Sequence, residues 1–133
     1  MRSGILFMVL LLSFSAVSVY GSNTGTKKKL VNEHIVVLNL LEGIESGNCG
    51  LCCGSAVMLG EIGSGDAVIP LMKLFHTDCK PELRIAAAQS LAKIGDPRGL
   101  KMLEYASQHD PDPRVKRFAD IFYRASLAGL IES

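Results

Sequence analysis

From Leu30 onward the apolar residues of this chain recur every three or four positions, the spacing that gathers them on one side of an α-helix, and nowhere do they alternate as in a strand. Leu30, His34, Leu38 and Leu41 mark the first stripe, widened by Val31, Ile35 and Val37. The pattern predicts a helix that runs to about Glu45 and stops at Ser46-Gly47-Asn48. An unbroken apolar run occurs only earlier, at residues 5–12, behind Met1 and Arg2 and ahead of the softer, serine-interrupted residues 13–21. A charged start, a short apolar centre and small residues at the end predict an export signal, cleaved after Ser18 or Gly21. A membrane span needs about 17–25 apolar residues, and this run is shorter, so an uncleaved anchor is kept as the alternative. The expected organisation is therefore an export signal at 1–21, a polar spacer at 22–29 and a helical domain at 30–133, in a periplasmic or secreted protein without stable membrane insertion after cleavage.

Beyond the first stripe the sequence can be laid on itself. Ser55-Ala56-Val57-Met58-Leu59-Gly60-Glu61-Ile62-Gly63 answers to Ala87-Ala88-Gln89-Ser90-Leu91-Ala92-Lys93-Ile94-Gly95, and the same offset of 32 residues carries Val68 to Leu100 and Leu71 to Leu103. A third copy begins at Pro111-Asp112-Pro113-Arg114-Val115, 30 residues after Pro81-Glu82-Leu83-Arg84-Ile85, and continues through Phe118, Ile121, Phe122 and Ala125. A fixed period near 30 with two helices per unit is the mark of a stacked helical repeat, whose units cannot bury their apolar faces alone. Pro81 and Pro113 suit a first helical turn. Gly63 and Gly95 suit the left-handed residue that ends a helix. Ser64 or Asp66, and Asp96, offer oxygens to cap the next helix. Ala86, Ala87, Ala88 and Ala92 allow close helix approach.

The segment Arg84-Ile85-Ala86-Ala87-Ala88-Gln89-Ser90-Leu91-Ala92-Lys93-Ile94-Gly95-Asp96-Pro97-Arg98 resembles the short HEAT-like repeat, the type also found in phycobilisome linker-polypeptide lyases. The likeness covers residues 50–127, is strongest around residues 84–103, and departs in the first unit, where Cys52 stands at the motif's arginine. It implies an all-α αα-superhelix, a short solenoid of about two full repeats between cap helices, whose second helices line a protein-binding face. It implies no reaction, since one scaffold hosts many functions.

Charge adds a negative result. The chain has 14 basic and 13 acidic residues, and removal of Arg2 with the signal leaves the two signs equal. Bulk charge therefore gives no reason to expect nucleic acid or a membrane surface as partner. Lys27-Lys28-Lys29 reads as the flank of the signal, and Arg114, Lys116, Arg117 and Arg124 as a solvated helix face.

Chemistry concentrates in Asn48-Cys49-Gly50-Leu51-Cys52-Cys53-Gly54-Ser55, which holds three of the four cysteines. In an oxidising compartment Cys79 is expected to pair with Cys49 or Cys52, and closing that loop would stabilise a short stack by about 3–4 kcal/mol. Alternatively Cys49 and Cys52, two residues apart at a helix start where the dipole favours a thiolate, would serve thiol–disulfide exchange. Zinc fits poorly, because the paired spacing is not repeated and adjacent Cys52 and Cys53 diverge by about 100° on a helix. On the repeat register Cys53 matches Ile85, a packing position. No phosphate loop, dinucleotide fingerprint, serine elbow or HExxH motif occurs, and Glu33-His34 is a single, reversed version of the pair that builds metal centres in HEAT-repeat hydroxylases. No metal or cofactor is expected.

With Val68, Leu71, Leu74 and Phe75 assigned to the core, the second helices leave Ile69, Met72, Lys73 and His76 outward, and Lys101, Glu104, Tyr105 and Gln108 one unit later. These eight are the candidate face for a protein partner. The expected function is a non-enzymatic exported adaptor or scaffold, with thiol exchange through Cys49 and Cys52 as the alternative and self-association of the stack as a further option.

Overall fold

The computed structural model describes residues 23–77 and 80–131. The expected signal at 1–21 and Cys79 lie outside the described residues. Six α-helices are described: α1 (Asn23–Glu45), α2 (Cys49–Ile62), α3 (Val68–His76), α4 (Pro81–Ile94), α5 (Pro97–His109) and α6 (Pro113–Leu127), with a 3₁₀ turn at Gly65–Ala67 leading into α3. Two compact units divide within α1, the first ending at Val36 and the second starting at Val37. Among the described residues the first unit contributes the opening turns of α1, where residues 32–36 are exposed. That helix begins at Asn23, inside the stretch expected to be a polar spacer. No described helix is long and apolar enough to cross a membrane.

The second unit is the repeat stack. Its first helices α2, α4 and α6 lie side by side, α3 packs against α4, and α5 packs against α6, so each second helix bridges to the following unit. Two complete helix pairs stand at the 32-residue offset, and the third first helix starts at Pro113, 32 residues after Pro81 rather than the expected 30. Leu59, Leu71, Leu91, Leu103, Val68 and Val115 are fully buried and carry the core. Each such aliphatic side chain contributes roughly 1.5–3 kcal/mol relative to exposure. All four residues assigned to the core of α3 are buried, as are Ala86, Ala87, Ala88 and Ala92.

Helix ends follow local chemistry. Pro81, Pro97 and Pro113 occupy first-turn positions, where no amide hydrogen is needed. Gly63 and Gly95 close α2 and α4 with φ of 70°, a conformation that glycine adopts without a Cβ penalty. Asp96 and Asp112 cap α5 and α6, Asp112 Oδ1 accepting from the backbone N–H groups of Arg114 (2.8 Å) and Val115 (3.3 Å).

Two expectations need correction. Neither Ser64 nor Asp66 caps α3, which starts from Ala67 without a side-chain cap because the 3₁₀ turn feeds its backbone directly into the helix. In α1 the packed stripe is Val37, Leu40, Leu41 and Ile44 rather than a row through His34 and Leu38, both of which are exposed. The spacing was helical as read but its phase was rotated, since burial in the second unit selects the side of Val37.

Candidate functional site

A cleft of about 710 Å³ opens beside the second helices, reached from α3 by Met72, Phe75 and His76 and from α5 by Arg98, Lys101, Met102, Tyr105, Ala106 and His109. The α3 residues are spaced i, i+3, i+4, and Lys101, Tyr105 and His109 follow at i, i+4, i+8, so each set shares one helix face. Phe75 is buried and Met72 and Met102 are half-buried, while Tyr105 leaves 67% of its surface to solvent. The Tyr105 and His109 rings stack with centroids 4.3 Å apart. His109 Nδ1 lies 3.0 Å from the Tyr105 carbonyl, a contact that holds its proton on Nδ1.

Arg84, from the first turn of α4, ties the elements around the cleft together. Its Nε donates to the Phe75 carbonyl at 2.8 Å, its Nη1 donates to Asp110 Oδ1 at 3.2 Å, and its Nη2 donates to Asp110 Oδ2. The guanidinium carbon sits 5.3 Å from the Phe75 ring centroid, within cation–π range. Asp110 Oδ1 also accepts the Asp112 backbone N–H at 3.0 Å. The Arg84 and Asp110 side chains are only 16% and 4% exposed, so this two-pronged pair fixes the end of α3 to the loop between α5 and α6.

The remaining charges are distributed unevenly. Arg98 is held by Asp96 through Nε at 2.9 Å and Nη2 at 3.0 Å. Hydrogen bonds from the Arg98 side chain and its backbone N–H bring the Asp96 carboxyl below its ordinary value of 3.8, and the same pair raises Arg98. Lys101 makes no ion pair among the described residues. The lining offers an apolar floor, a stacked aromatic rim and a positive edge. That combination can hold a partner's side chain.

Of the eight residues expected on the binding face, the structure brings Met72, His76, Lys101 and Tyr105 into the cleft. Ile69 and Lys73 are exposed on α3 outside its lining. Glu104 turns towards α6, where burial and the Glu104 carboxylate push the Tyr123 hydroxyl above its ordinary value of 10.0. Gln108 lines a separate polar depression with Lys116, Arg117, Asp120 and Arg124. Sequence reasoning missed Arg84, Met102, His109 and Asp110. The four-residue rhythm of Lys101, Tyr105 and His109 was a signal for the last of the α5 rim, and the rest emerge from packing.

Cys49, Cys52 and Cys53 lie on α2. Asn48 Oδ1 accepts from Gly50 and Leu51 at 3.0 and 3.2 Å and caps α2, placing Cys49 at its exposed first position. Cys52, one turn on, is buried in the core, and Cys53 packs partly against it, matching its Ile85 register. Among the described residues no cluster of three or more His, Cys, Asp or Glu side chains could hold a metal ion.

Comparison with protein families places residues 37–119, more than half of the chain, in a match to the HEAT-repeat model. No curated protein matches the sequence.

Proposed function

We propose, from the premise that the chain belongs to the HEAT-repeat family, that it is an exported, non-enzymatic adaptor which binds a protein partner through the cleft beside its second helices. The supporting observation is the cleft itself: an apolar floor with a largely exposed tyrosine at its rim, positioned by its helices and by the part-buried Arg84–Asp110 pair. Exposed aromatics beside half-buried methionines are the groups that anchor protein interfaces, and HEAT repeats commonly serve as interaction scaffolds.

The test is a pull-down with the chain recovered after export, its intact mass read first. Tyr105→Ala and Met102→Glu should each lose the partner while Gln108→Ala keeps it. Unchanged capture by both cleft variants, at native circular dichroism, would sink the face assignment. A mass that retains residues 1–21 would remove export from the reading.

Thiol–disulfide exchange remains a second reading because Cys49 is exposed while Cys52, three positions on, is buried in the same helix start. Mass analysis of the same material, alkylated after equilibration in glutathione buffers, addresses it. A Cys49 whose modification does not follow the redox buffer eliminates exchange.

A further inference from the structure

We infer that the cleft takes an acidic peptide segment bearing one large apolar side chain, a partner class that rests on the binding reading above. The apolar half of this statement comes from the floor. Phe75, Met72 and Met102 present aromatic and thioether surface that adapts to a Leu or Phe side chain. The volume of about 710 Å³ falls in the range of pockets that enclose a small ligand, so it suits one anchor with its flanking residues rather than a broad protein surface.

The acidic half comes from which charges are already matched. Asp110 is the one carboxylate lining the cleft among the described residues, and both its oxygens are engaged by Arg84. Among the described lining residues a basic segment would find no further acid to meet it. Arg98 is matched by Asp96, but Lys101 on the lining and Lys73 on the exposed side of α3 form no ion pair among the described residues. Two lysines are too few to track a phosphate backbone. They suffice to select the sign of charge beside an apolar anchor, since complementary charges act on specificity more than on affinity.

The experiment uses the processed chain labelled with ¹³C at its methionine methyls. It is titrated with the blocked peptide Glu-Glu-Leu-Phe-Glu-Glu, with Lys-Lys-Leu-Phe-Lys-Lys and with Glu-Glu-Gly-Gly-Glu-Glu. The expected result is that the first peptide shifts Met72 and Met102 but not Met58, which lies on α2 away from the cleft, and binds at least about tenfold more tightly than either control. Lys101→Glu should weaken that binding about fivefold at low salt, and the effect should shrink as salt screens the pair.

Three results would each overturn the inference: equal or tighter binding of the basic peptide, binding that leaves Met72 and Met102 unshifted, or no binding of the acidic peptide up to about 1 mM. If the cleft variants still lose the pulled-down partner in such a case, only the acidic partner class falls. If they keep it, the cleft itself is wrongly assigned.

Discussion

Gly60 shows how closely the first helices approach. A Cβ built there would lie 2.8 Å from both Cα and Cβ of Ser90 on the neighbouring α4, and Ser90, itself buried, contacts α2 by donating its hydroxyl to the Ala56 carbonyl at 2.7 Å. The equivalent position one unit later is Ala92, also buried, so this part of the repeat accepts little beyond a hydrogen or a methyl. Gly54, by contrast, meets nothing within 4 Å. The two glycines should therefore respond oppositely to alanine. Gly54→Ala gains the helix preference of alanine, about 0.5–1 kcal/mol. Gly60→Ala gains the same but forces backbone apart, and overpacking at about 1–3 kcal/mol outweighs it. Urea unfolding of both variants tests this, and a stabilised Gly60→Ala would mean that α2 and α4 are not held at this distance.

At the level of helices, the caps make part of the stability pH-dependent. Asp96 titrates below 3.8 through hydrogen bonds from the Arg98 side chain and backbone. For Asp112, burial pushes the carboxyl upward, but the backbone N–H groups of Arg114 and Val115 outweigh it, so the net value is also lowered. A carboxyl with a lower pKa folded than unfolded contributes its full stabilisation above the unfolded value, about pH 4, and loses it as pH falls through the folded value. Asparagine keeps an acceptor oxygen without titrating. The double variant Asp96→Asn, Asp112→Asn should thus show a shallower fall in thermal midpoint below about pH 4 than the parent, and parallel acid limbs would refute the assignment. The Asp96 cap and the helix ends at Pro81, Pro113, Gly63 and Gly95 were readable in advance, because proline, glycine and aspartate act within one turn of chain, whereas Asp112 was not named as a cap and the cap expected from Ser64 or Asp66 is absent. The α1 face was not, because a stripe counted from Leu30 fits a helix in any rotation until the stack chooses Val37. The Arg84–Asp110 tie was hidden for a similar reason: the partners are 26 residues apart, and Asp110 in isolation reads as an ordinary loop residue. Phe75 was correctly assigned to the core yet also floors the cleft, a double role that no periodicity can express.

The whole stack is set by its repeat, yet α6 buries fewer of its residues than α4 does. Counted from the helix starts Pro81 and Pro113, the offset is 32 residues, so Phe118 and Ile121 of α6 correspond to Ala86 and Gln89 of α4. Ala86 is buried and Gln89 half-buried, whereas Phe118 and Ile121 are 37% and 44% exposed. Arg114, Arg117 and Arg124 are exposed on the same helix. Apolar residues at covered and at open positions of the stack therefore carry different energies. Leu91→Ala should cost about 2–5 kcal/mol through lost burial and a residual cavity. Ile121→Ala should cost under about 1 kcal/mol, because less apolar area leaves contact with protein and water already fills the space. If denaturant unfolding at low protein concentration gives the two variants equal losses, Ile121 is covered in solution. If the Ile121→Ala loss grows with protein concentration instead, a second copy supplies the cover, as the self-associating form of the stack requires.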